Sequence, residues 1–497
     1  MEDLPSLSAT SDGFSVSSSQ TTVRSEGYFL ITDFDYRDRY IGSFLVRRDG
    51  SSLFGPDARW QTYYRASGAY RMSLEPWWPV PGIDEFRLRY SVGTAGGRPS
   101  FTAQYETYTL SAGALRPLTL GNRELRPEFS TEHEFGIDIN ALNRIAFSLT
   151  HARSVNENQL LQIPLRAYAG FSTQWRNAGT IESNTWEANL DGTILTRQDL
   201  SWSARLNFDR TRQKITDWPR SELRYGPFSS FYYREGEALG SFYGNRWATS
   251  CADLPGSACD PGQFQVNDDG YLVWVGSGNS WEDGIAKNLW GTSGVVGGTT
   301  YNWGMPIRAY DETGNDLFIL GNTQPDFSLS LGNELRWRNV SLYALFGAEI
   351  GTDIYNMTRQ WAVRDFRHGE VDQFGKPDDT KKPMGYYEAL YDIRNINSHY
   401  VEDGTYVKLR ELSLRYSLGR SQLDRLAGGR AGGIERVTLS LIGRNLKTWT
   451  DYSGYDPEVG PSYTGVGVEP RASVWARFDN YQYPNFRTFR TMVEVVF

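Results

Sequence analysis

Six aromatic side chains crowd one stretch of the chain that is rich in Gly, Asn and Asp. Flat aromatic faces with amide and carboxylate groups close by suit the binding of sugar rings or peptides. The alternative interpretation is that these rings pack a small core of their own loop or contact the surface of a partner. The candidate substrate-binding residues are Tyr271, Trp274, Trp281, Trp290, Tyr301 and Trp303.

The titratable side chains show no spacing typical of catalysis or of a metal site. Four histidines have no HExxH or other metal-binding spacing: His133, His151, His368 and His399. The acidic stretches at 267–269 and 311–316 do not fit the twelve-residue calcium loop. The chain contains neither a GxSxG elbow nor a GxxxxGK[ST] phosphate loop, and no carboxylate pair stands out for glycoside hydrolysis. We therefore predict no enzyme activity, no metal and no cofactor.

The charge balance argues against nucleic acid as a partner. Lys and Arg number 51 against 59 Asp and Glu, which gives a net charge of −8. No basic block with interleaved aromatic residues reverses this balance. A solvated acidic surface explains the charge.

Two cysteines, Cys251 and Cys259, lie eight positions apart in a loop-like segment. A disulfide between them would require an oxidising compartment such as the bacterial cell exterior. Two unrelated free thiols are the alternative.

The stretch from Glu402 to Glu458 shows the clearest alternation of apolar and polar residues, and it predicts a hairpin of a membrane barrel. In the first arm the apolar face carries Leu412, Leu414, Tyr416 and Leu418, and the polar face carries Glu411, Ser413, Arg415 and Ser417. The second arm repeats the pattern with Val437, Leu439 and Leu441 against Arg436, Thr438, Ser440 and Arg444. Above Leu412 the phase slips by one residue, which predicts a β-bulge near Lys408 to Arg410.

The same alternation recurs along the chain and predicts about fourteen strands. The 50 Gly, 30 Tyr, 25 Phe and 16 Trp are typical of strands, turns and a large aromatic surface. The mean hydropathy is −0.52, and no run of about 18 apolar residues predicts a membrane helix. Barrel strands expose apolar side chains only at alternate positions, so the fold class predicted is an all-β transmembrane antiparallel up-and-down barrel.

Loop lengths give this barrel a direction. The shorter connections fall at 37–39, 74–83, 141–143, 196–199, 338–339 and 419–434, and the longest segments at 218–324, 352–404 and 447–484. Because outer-membrane barrels have short periplasmic turns and long extracellular loops, we expect the long segments outside the cell. These three loops are also where we expect ligand recognition.

Seven sequence strings, in this order, resemble the C-terminal barrel portion of SusC/RagA-type TonB-linked outer-membrane transporters. The resemblance covers nearly everything from Gly27 to Phe497. The strings are DRYIGSFLVRRDGSSLFG, LGNRELRPEFSTEHEFGID, GEALGSFYGNRW, ILGNTQPDFSLSLGN, GTDIYN, YVKLRELSLRYSL and GRNLKTWTDYSGYDPEV.

This resemblance implies a bacterial outer-membrane barrel of 22 strands that is plugged by an N-terminal domain and energised by TonB. It also implies a SusD-like surface lipoprotein as partner, and glycan or oligopeptide as cargo. We expect residues 1–497 to form the C-terminal part of one barrel domain, about fourteen strands of it, with the N-terminal plug and TonB-contacting segment absent.

Two other functions are compatible with the strand pattern. One is a plug-free passive porin or adhesin barrel. The other is a soluble secreted β-rich carbohydrate-binding protein, which would have to cover its apolar strand faces with a second sheet. An outward-facing apolar belt separates the membrane interpretations from the soluble one.

Overall fold

The computed structural model describes residues 20–55, 58–111, 114–218, 222–256, 258–391, 396–429, 432–459 and 477–497. In this part of the chain, thirteen strands form one antiparallel sheet whose order follows the sequence. Strands β1 to β13 are Ser25–Tyr36, Tyr40–Ser51, Trp60–Arg71, Ile83–Gly97, Glu128–Ala141, Ile145–Glu157, Thr180–Arg197, Leu200–Asp217, Phe327–Trp337, Val340–Ile350, Tyr406–Gly419, Arg436–Thr450 and Thr488–Val496. The weakly patterned residues 1–22 account for one of the about fourteen strands that the sequence predicts, and this range falls largely outside the described residues.

The β-bulge predicted in β11 is confirmed. Opposite β10, Leu345 pairs with Glu411 whereas the next residue, Phe346, pairs with Leu409. The pairing with β12 shifts at the same place. Both neighbours therefore skip Arg410, which is the extra residue of the bulge.

The outward face of this sheet is apolar, and its side chains are exposed. Across neighbouring strands the apolar residues pair in continuous rows, because register brings the same phase of each strand together. One row through the middle of the sheet consists of Phe147, Leu190, Leu206, Leu331 and Phe346. A second row consists of Trp202, Leu335, Leu342, Leu414 and Leu441.

The opposite face buries small polar side chains. Ser413 is 1% exposed and Ser440 is 0% exposed, whereas Leu414 and Leu441, their neighbours in sequence, are 45% and 50% exposed. A soluble sheet protein would bury the leucines and expose the serines. The arrangement contradicts the soluble carbohydrate-binding alternative and is what a lipid-facing barrel wall requires.

The connections alternate between tight turns at one edge of the sheet and long insertions at the other. At the tight edge, the turn between β5 and β6 holds Leu142 and Asn143 at positive φ angles of 55° and 53°. A helix, α3 (Arg420–Leu426), lies in the 420–435 connection at this same edge. No helix in the described residues is both long and apolar enough to cross a bilayer.

The insertions at the long-loop edge fold into two bodies of regular structure. The small lobe comprises 98–127 and 158–179 and contains a four-stranded sheet, in spatial order Thr107–Ser111, Ala114–Leu120, Thr173–Asn177 and Leu160–Pro164. The outer lobe comprises the described parts of 218–326, 351–405 and 451–487.

Short strands and two helices build the outer lobe. The helices are α1 (Met357–Arg364) and α2 (Met384–Tyr391). A four-stranded sheet contains Leu223–Tyr225, Phe231–Tyr233, Ser241–Asn245 and Leu317–Asn322. The smaller sheets pair Phe264–Val266 with Leu272–Trp274, Ser293–Val296 with Thr299–Asn302, and Asp353–Asn356 with Val401–Asp403 and Phe478–Asp479.

Candidate functional site

The inner face of the sheet is polar, and ion pairs link neighbouring strands across it. Arg205 pairs with Asp191, and the Arg444 guanidinium donates to Glu411 at 2.8 Å. A cavity of about 920 Å³ lies against this face and is lined mainly by polar side chains of strands from β4 to β11, Arg205 and Arg410 among them. Charged side chains that alternate with lipid-facing leucines suit the interior of a barrel through which polar solutes move.

Arg89 shows how the sequence positions one of these charges. It lies opposite Gly136, where an added Cβ would stand 2.6 Å from the guanidinium carbon. The missing side chain lets Arg89 lie flat across β5. From there it donates to Asp138 at 2.7 Å and to Glu134 at 3.2 Å.

The outer lobe contains all six aromatic candidates, but it uses them differently. Trp303, Tyr301 and Trp274 are 1%, 7% and 8% exposed and belong to one packed core. Trp303 donates its indole N–H to the Val275 carbonyl at 3.0 Å, and Tyr301 donates to the Ala258 carbonyl at 2.8 Å. These three rings have no face open to a ligand in this conformation, because the loop packs its own core around them.

The other three candidates keep part of their surface accessible. Trp290 meets Trp303 edge to face with ring centres 4.8 Å apart and links the two cores of the lobe. Tyr271 is hydrogen-bonded to His399, and Trp281 begins a short 3-10 helix. The proposal of direct cargo contact therefore narrows to Tyr271, Trp281 and Trp290.

Cys251 and Cys259 are joined by a disulfide, with their Cα atoms 5.6 Å apart. Both side chains pack against the core that contains Trp303. The disulfide staples the segment that carries Ala258, whose carbonyl accepts the Tyr301 hydroxyl.

A partly buried polar network, which the sequence pattern did not single out, joins distant segments of the outer lobe. Arg359 on α1 pairs with Glu370 and donates to Glu402 at 3.3 Å. His399 lies 3.6 Å from Glu370 through Nε2 and is hydrogen-bonded through Nδ1 to the Tyr271 hydroxyl at 2.7 Å. The contacts span up to 128 positions of sequence, so no local spacing could reveal them.

This network perturbs the ionisation of its members. Burial alone would raise the pKa of the Glu370 carboxyl, but the hydrogen bond from His399 and the charge of Arg359 outweigh it and lower the pKa to about 2. Burial raises the pKa of the Tyr271 hydroxyl above its ordinary value. Glu370 is therefore anionic, and Tyr271 neutral, at any pH near neutrality.

Two of the recognised sequence strings meet in a second ionic cluster at the top of β11. Lys408, from YVKLRELSLRYSL, is 1% exposed and contacts Asp456 and Glu458 of the GYDPEV string, the latter at 2.9 Å. Arg410, the bulge residue, reaches Glu458 at 2.9 Å. The bulge thus directs the Arg410 side chain toward the same loop as Lys408. Together these two cations hold the 451–459 loop against the inner wall.

The remaining sequence candidates have local partners. Asp268 and Asp269 pair with Lys382, the latter at 3.1 Å, and Asp311 accepts the backbone N–H groups of Thr313 and Asn315 in a tight turn. Within the described ranges, no three His, Cys, Asp or Glu side chains gather into a group that could hold a metal ion. The part of the third recognition loop at 460–476 lies outside the described residues.

A meander of amphipathic strands with lipid-facing leucines, an ion-paired inner wall and elaborate loops at one edge defines an outer-membrane β-barrel. Residues 3–344 match the family model described as TonB dependent receptor-like, beta-barrel, and the chain belongs to this family. It is accordingly an outer-membrane protein, and the long-loop edge is the extracellular one.

Known proteins similar to this chain agree on the family. TonB-dependent receptor P3 of Formosa agariphila is 27% identical over 92% of this chain and 44% of its own length. TonB-dependent receptor SusC of Bacteroides thetaiotaomicron is 24% identical over 43% of this chain and 22% of its own length. The structure of the RagAB peptide transporter superposes on all of this chain and on 50% of the matched chain, with a TM-score of 0.68 at 20% identity.

These comparisons confirm the resemblance to SusC/RagA-type barrels. The chain spans 44–46% of the length of the curated relatives that match it nearly end to end. The fold and the family are therefore established for a barrel region, and the activity of the whole protein belongs to the proposals below.

Proposed function

We propose that this chain supplies barrel wall and extracellular loops to a TonB-dependent importer of large nutrients, either glycans or oligopeptides. The observation that carries the proposal is the polar inner wall, with its cavity of about 920 Å³, in a sheet whose long-loop edge carries a large packed outer lobe. A polar path across the membrane is useful for solutes that cannot cross lipid, and an ordered lobe at its mouth can select among them.

The proposed partners follow from the relatives. A SusD-like surface lipoprotein would dock on the extracellular loops, and the TonB complex would supply energy through parts of the protein outside this chain. The similarity to the RagAB peptide transporter supports peptide as one cargo class, and the similarity to SusC supports membership of a two-component importer. Within the loops, Tyr271, Trp281 and Trp290 are the aromatic residues that we propose contact cargo.

The test is uptake by cells in which the protein is present or deleted in its native outer membrane. Fluorescent oligopeptides and oligosaccharides too large for general porins are supplied, and internalised label is measured with and without a protonophore. We expect uptake of one cargo class to require both the protein and the proton-motive force. If deletion leaves the uptake of both classes unchanged, the proposed function is wrong.

The same experiment addresses the passive porin or adhesin alternative. A passive pore would allow uptake that depends on the protein but continues when the protonophore collapses the proton-motive force. An adhesin would retain label on the cell surface without internalising it. Either result would replace energised import as the function of this barrel.

A further inference from the structure

An extracellular groove separates the small lobe from the outer lobe. It has a cavity volume of about 750 Å³. One wall comes from the small lobe, with Ile163 and Arg176, and the other from the outer lobe, with Leu223 and Arg224. The floor is apolar, because Ile163 and Trp218 line the groove there and belong to one buried apolar cluster.

The groove carries more guanidinium groups than carboxylates. Arg166 is exposed and, among the described residues, its side chain has no hydrogen-bond or ion-pair partner. Arg176 uses its Nε to donate to Gln174 at 2.7 Å, which leaves its two terminal nitrogens for a ligand.

Arg224, the third arginine that lines the groove, does not make the groove electrically neutral. Arg224 pairs with Glu222 at 2.7 Å, but the same carboxylate also pairs with Arg234. Glu222 is the one carboxylate among the described lining residues. The groove therefore presents an uncompensated positive charge to whatever enters it.

The edge of a β-sheet forms each wall. Leu160–Pro164 is the last strand of the small-lobe sheet, and Leu223–Tyr225 is the last strand of the four-stranded sheet in the outer lobe. Within the described part of the chain, each of these two strands pairs with a neighbouring strand on one side only. An edge strand offers backbone N–H and C=O groups to another extended chain, which is the geometry of peptide binding by strand addition.

We infer that this groove binds an acidic segment of an oligopeptide in extended conformation. The inference rests on the proposed import function and names its cargo more closely. The peptide backbone pairs with a wall strand, alternate side chains pack on the apolar floor, and carboxylates on the other alternate side chains face Arg166 and Arg176. Arginine suits this role because its planar fork binds a carboxylate with two parallel hydrogen bonds. Oligosaccharides carry no backbone that could add to a sheet edge, which favours the peptide.

The test measures peptide binding to the intact protein purified with its outer-membrane partner. The probes are a fluorescein-labelled peptide of alternating Glu and Val, its Gln and Val counterpart of equal length, and a labelled oligogalacturonate. Binding is followed by fluorescence anisotropy for the native protein and for the double variant Arg166→Gln with Arg176→Gln. The matched control is Arg116→Gln, which removes an exposed arginine of the same lobe that does not line the groove.

We expect the acidic peptide to bind more tightly than its neutral counterpart, and the double variant to weaken its binding about tenfold, equivalent to about 1.4 kcal/mol. Added salt should reduce the preference for the acidic peptide, since the guanidinium groups are exposed. The control variant should bind as the native protein does. Surface labelling of intact cells verifies that each variant is assembled.

Equal affinity for the two peptides, or equal losses in the control and the double variant, would overturn the inference. Tight arginine-dependent binding of the oligogalacturonate without binding of the peptide would also overturn it. These failures differ from failure of the proposed function. In that case deletion of the protein would leave uptake unchanged, whereas here uptake would still require the protein but show no preference for acidic peptides.

Discussion

The barrel wall and the outer lobe bury opposite kinds of side chain. In the wall, Leu414 and Leu441 are exposed while Ser413 and Ser440 are buried. In the lobe, Trp303 is 1% exposed, and Phe231 and Tyr355 are fully buried. The same chain therefore contains one region organised for lipid outside and water inside, and another organised for water on all sides.

The difference shows what holds each region together. Among the described residues, no buried apolar cluster lies wholly within the wall, although Ile181 and Ile215 at the ends of β7 and β8 join one of them. The cohesion of the wall comes from thirteen strands of paired backbone, from ion pairs on the wet face, and from lipid around the leucine rows. The lobe depends on packed clusters of aromatic and aliphatic residues, a disulfide and the partly buried network at Arg359. Conditions that damage one region should leave the other largely intact.

Replacement of the buried Trp303 indole should produce the largest difference between its effect on the stability of the outer lobe and its effect on the stability of the barrel wall. Trp303→Ala removes a ring with 1% exposure and its hydrogen bond to Val275, so it should cost the lobe about 3–5 kcal/mol. We expect proteases to cleave the 222–326 loop in the assembled protein while the barrel still resists heat and detergent in gel electrophoresis.

The matched control is Trp337→Ala, which removes the same side chain from the wall, where it is 56% exposed at the tight-turn edge. This variant should leave the protease pattern of the lobe unchanged. Equal cleavage in the two variants would mean that the lobe has no core independent of the wall.

A charged residue on the lipid-facing side should have the second-largest effect, and this effect should fall on the stability of the barrel wall. Leu331→Arg places a guanidinium in the middle of the row that contains Leu206 and Phe346, so it should cost about 2–4 kcal/mol of barrel stability. The measurement is the urea midpoint of the barrel in lipid vesicles. As a control, Leu426→Arg changes the last residue of α3, a leucine that is 75% exposed at the tight-turn edge, and it should shift that midpoint little. Comparable shifts would contradict the lipid-facing assignment of the row.

The wall could be predicted from the sequence because its organisation is local. Alternation with period two identified the strand at Leu412 to Leu418, and the one-residue slip identified the bulge that the register confirms at Arg410. A strand that faces lipid on one side and water on the other must show this period. The turn at 37–39 and the direction of the loops follow from the same local information.

The lobe could not be predicted in the same way, because its contacts join segments far apart in sequence. The 218–324 segment lacks sustained alternation, yet it contains short strands. Some of them pair far along the chain, as Ser241–Asn245 does with Leu317–Asn322, and an isolated bridge joins Asn245 to Asn397. The composition of this segment singled out six aromatic residues as candidates. Their number could not separate ligand contact from core packing, and the burial of Trp274, Tyr301 and Trp303 shows that packing accounts for half of them.

Acid should loosen the lobe before it affects the wall. The Glu370 carboxyl has a pKa lowered from 4.5 to about 2, so it stabilises the lobe fully above pH 4.5, and this stabilisation is lost as the pH falls toward 2. The loss should approach about 3 kcal/mol, measured as the urea midpoint of tryptophan fluorescence between pH 6 and pH 2. Glu370→Gln should flatten this pH dependence. An unchanged profile in that variant would mean that other carboxyls cause the acid sensitivity.

Loss of the disulfide should give the smallest of these effects, and it also tests the side of the membrane on which the lobe lies. Replacing Cys251 and Cys259 by Ser removes a cross-link between residues eight positions apart. Because the unfolded chain then gains conformational entropy, the free energy of unfolding of the lobe should fall by about 2 kcal/mol. The expected result is faster cleavage of the 251–259 segment, with the heat resistance of the barrel unchanged. In intact cells a membrane-impermeant maleimide should label the native cysteines only after reduction, because a bond that persists outside the cell leaves no free thiol. Labelling without reduction would show that the bond does not form in the cell, and the stability of the lobe would then rest on its aromatic cores alone.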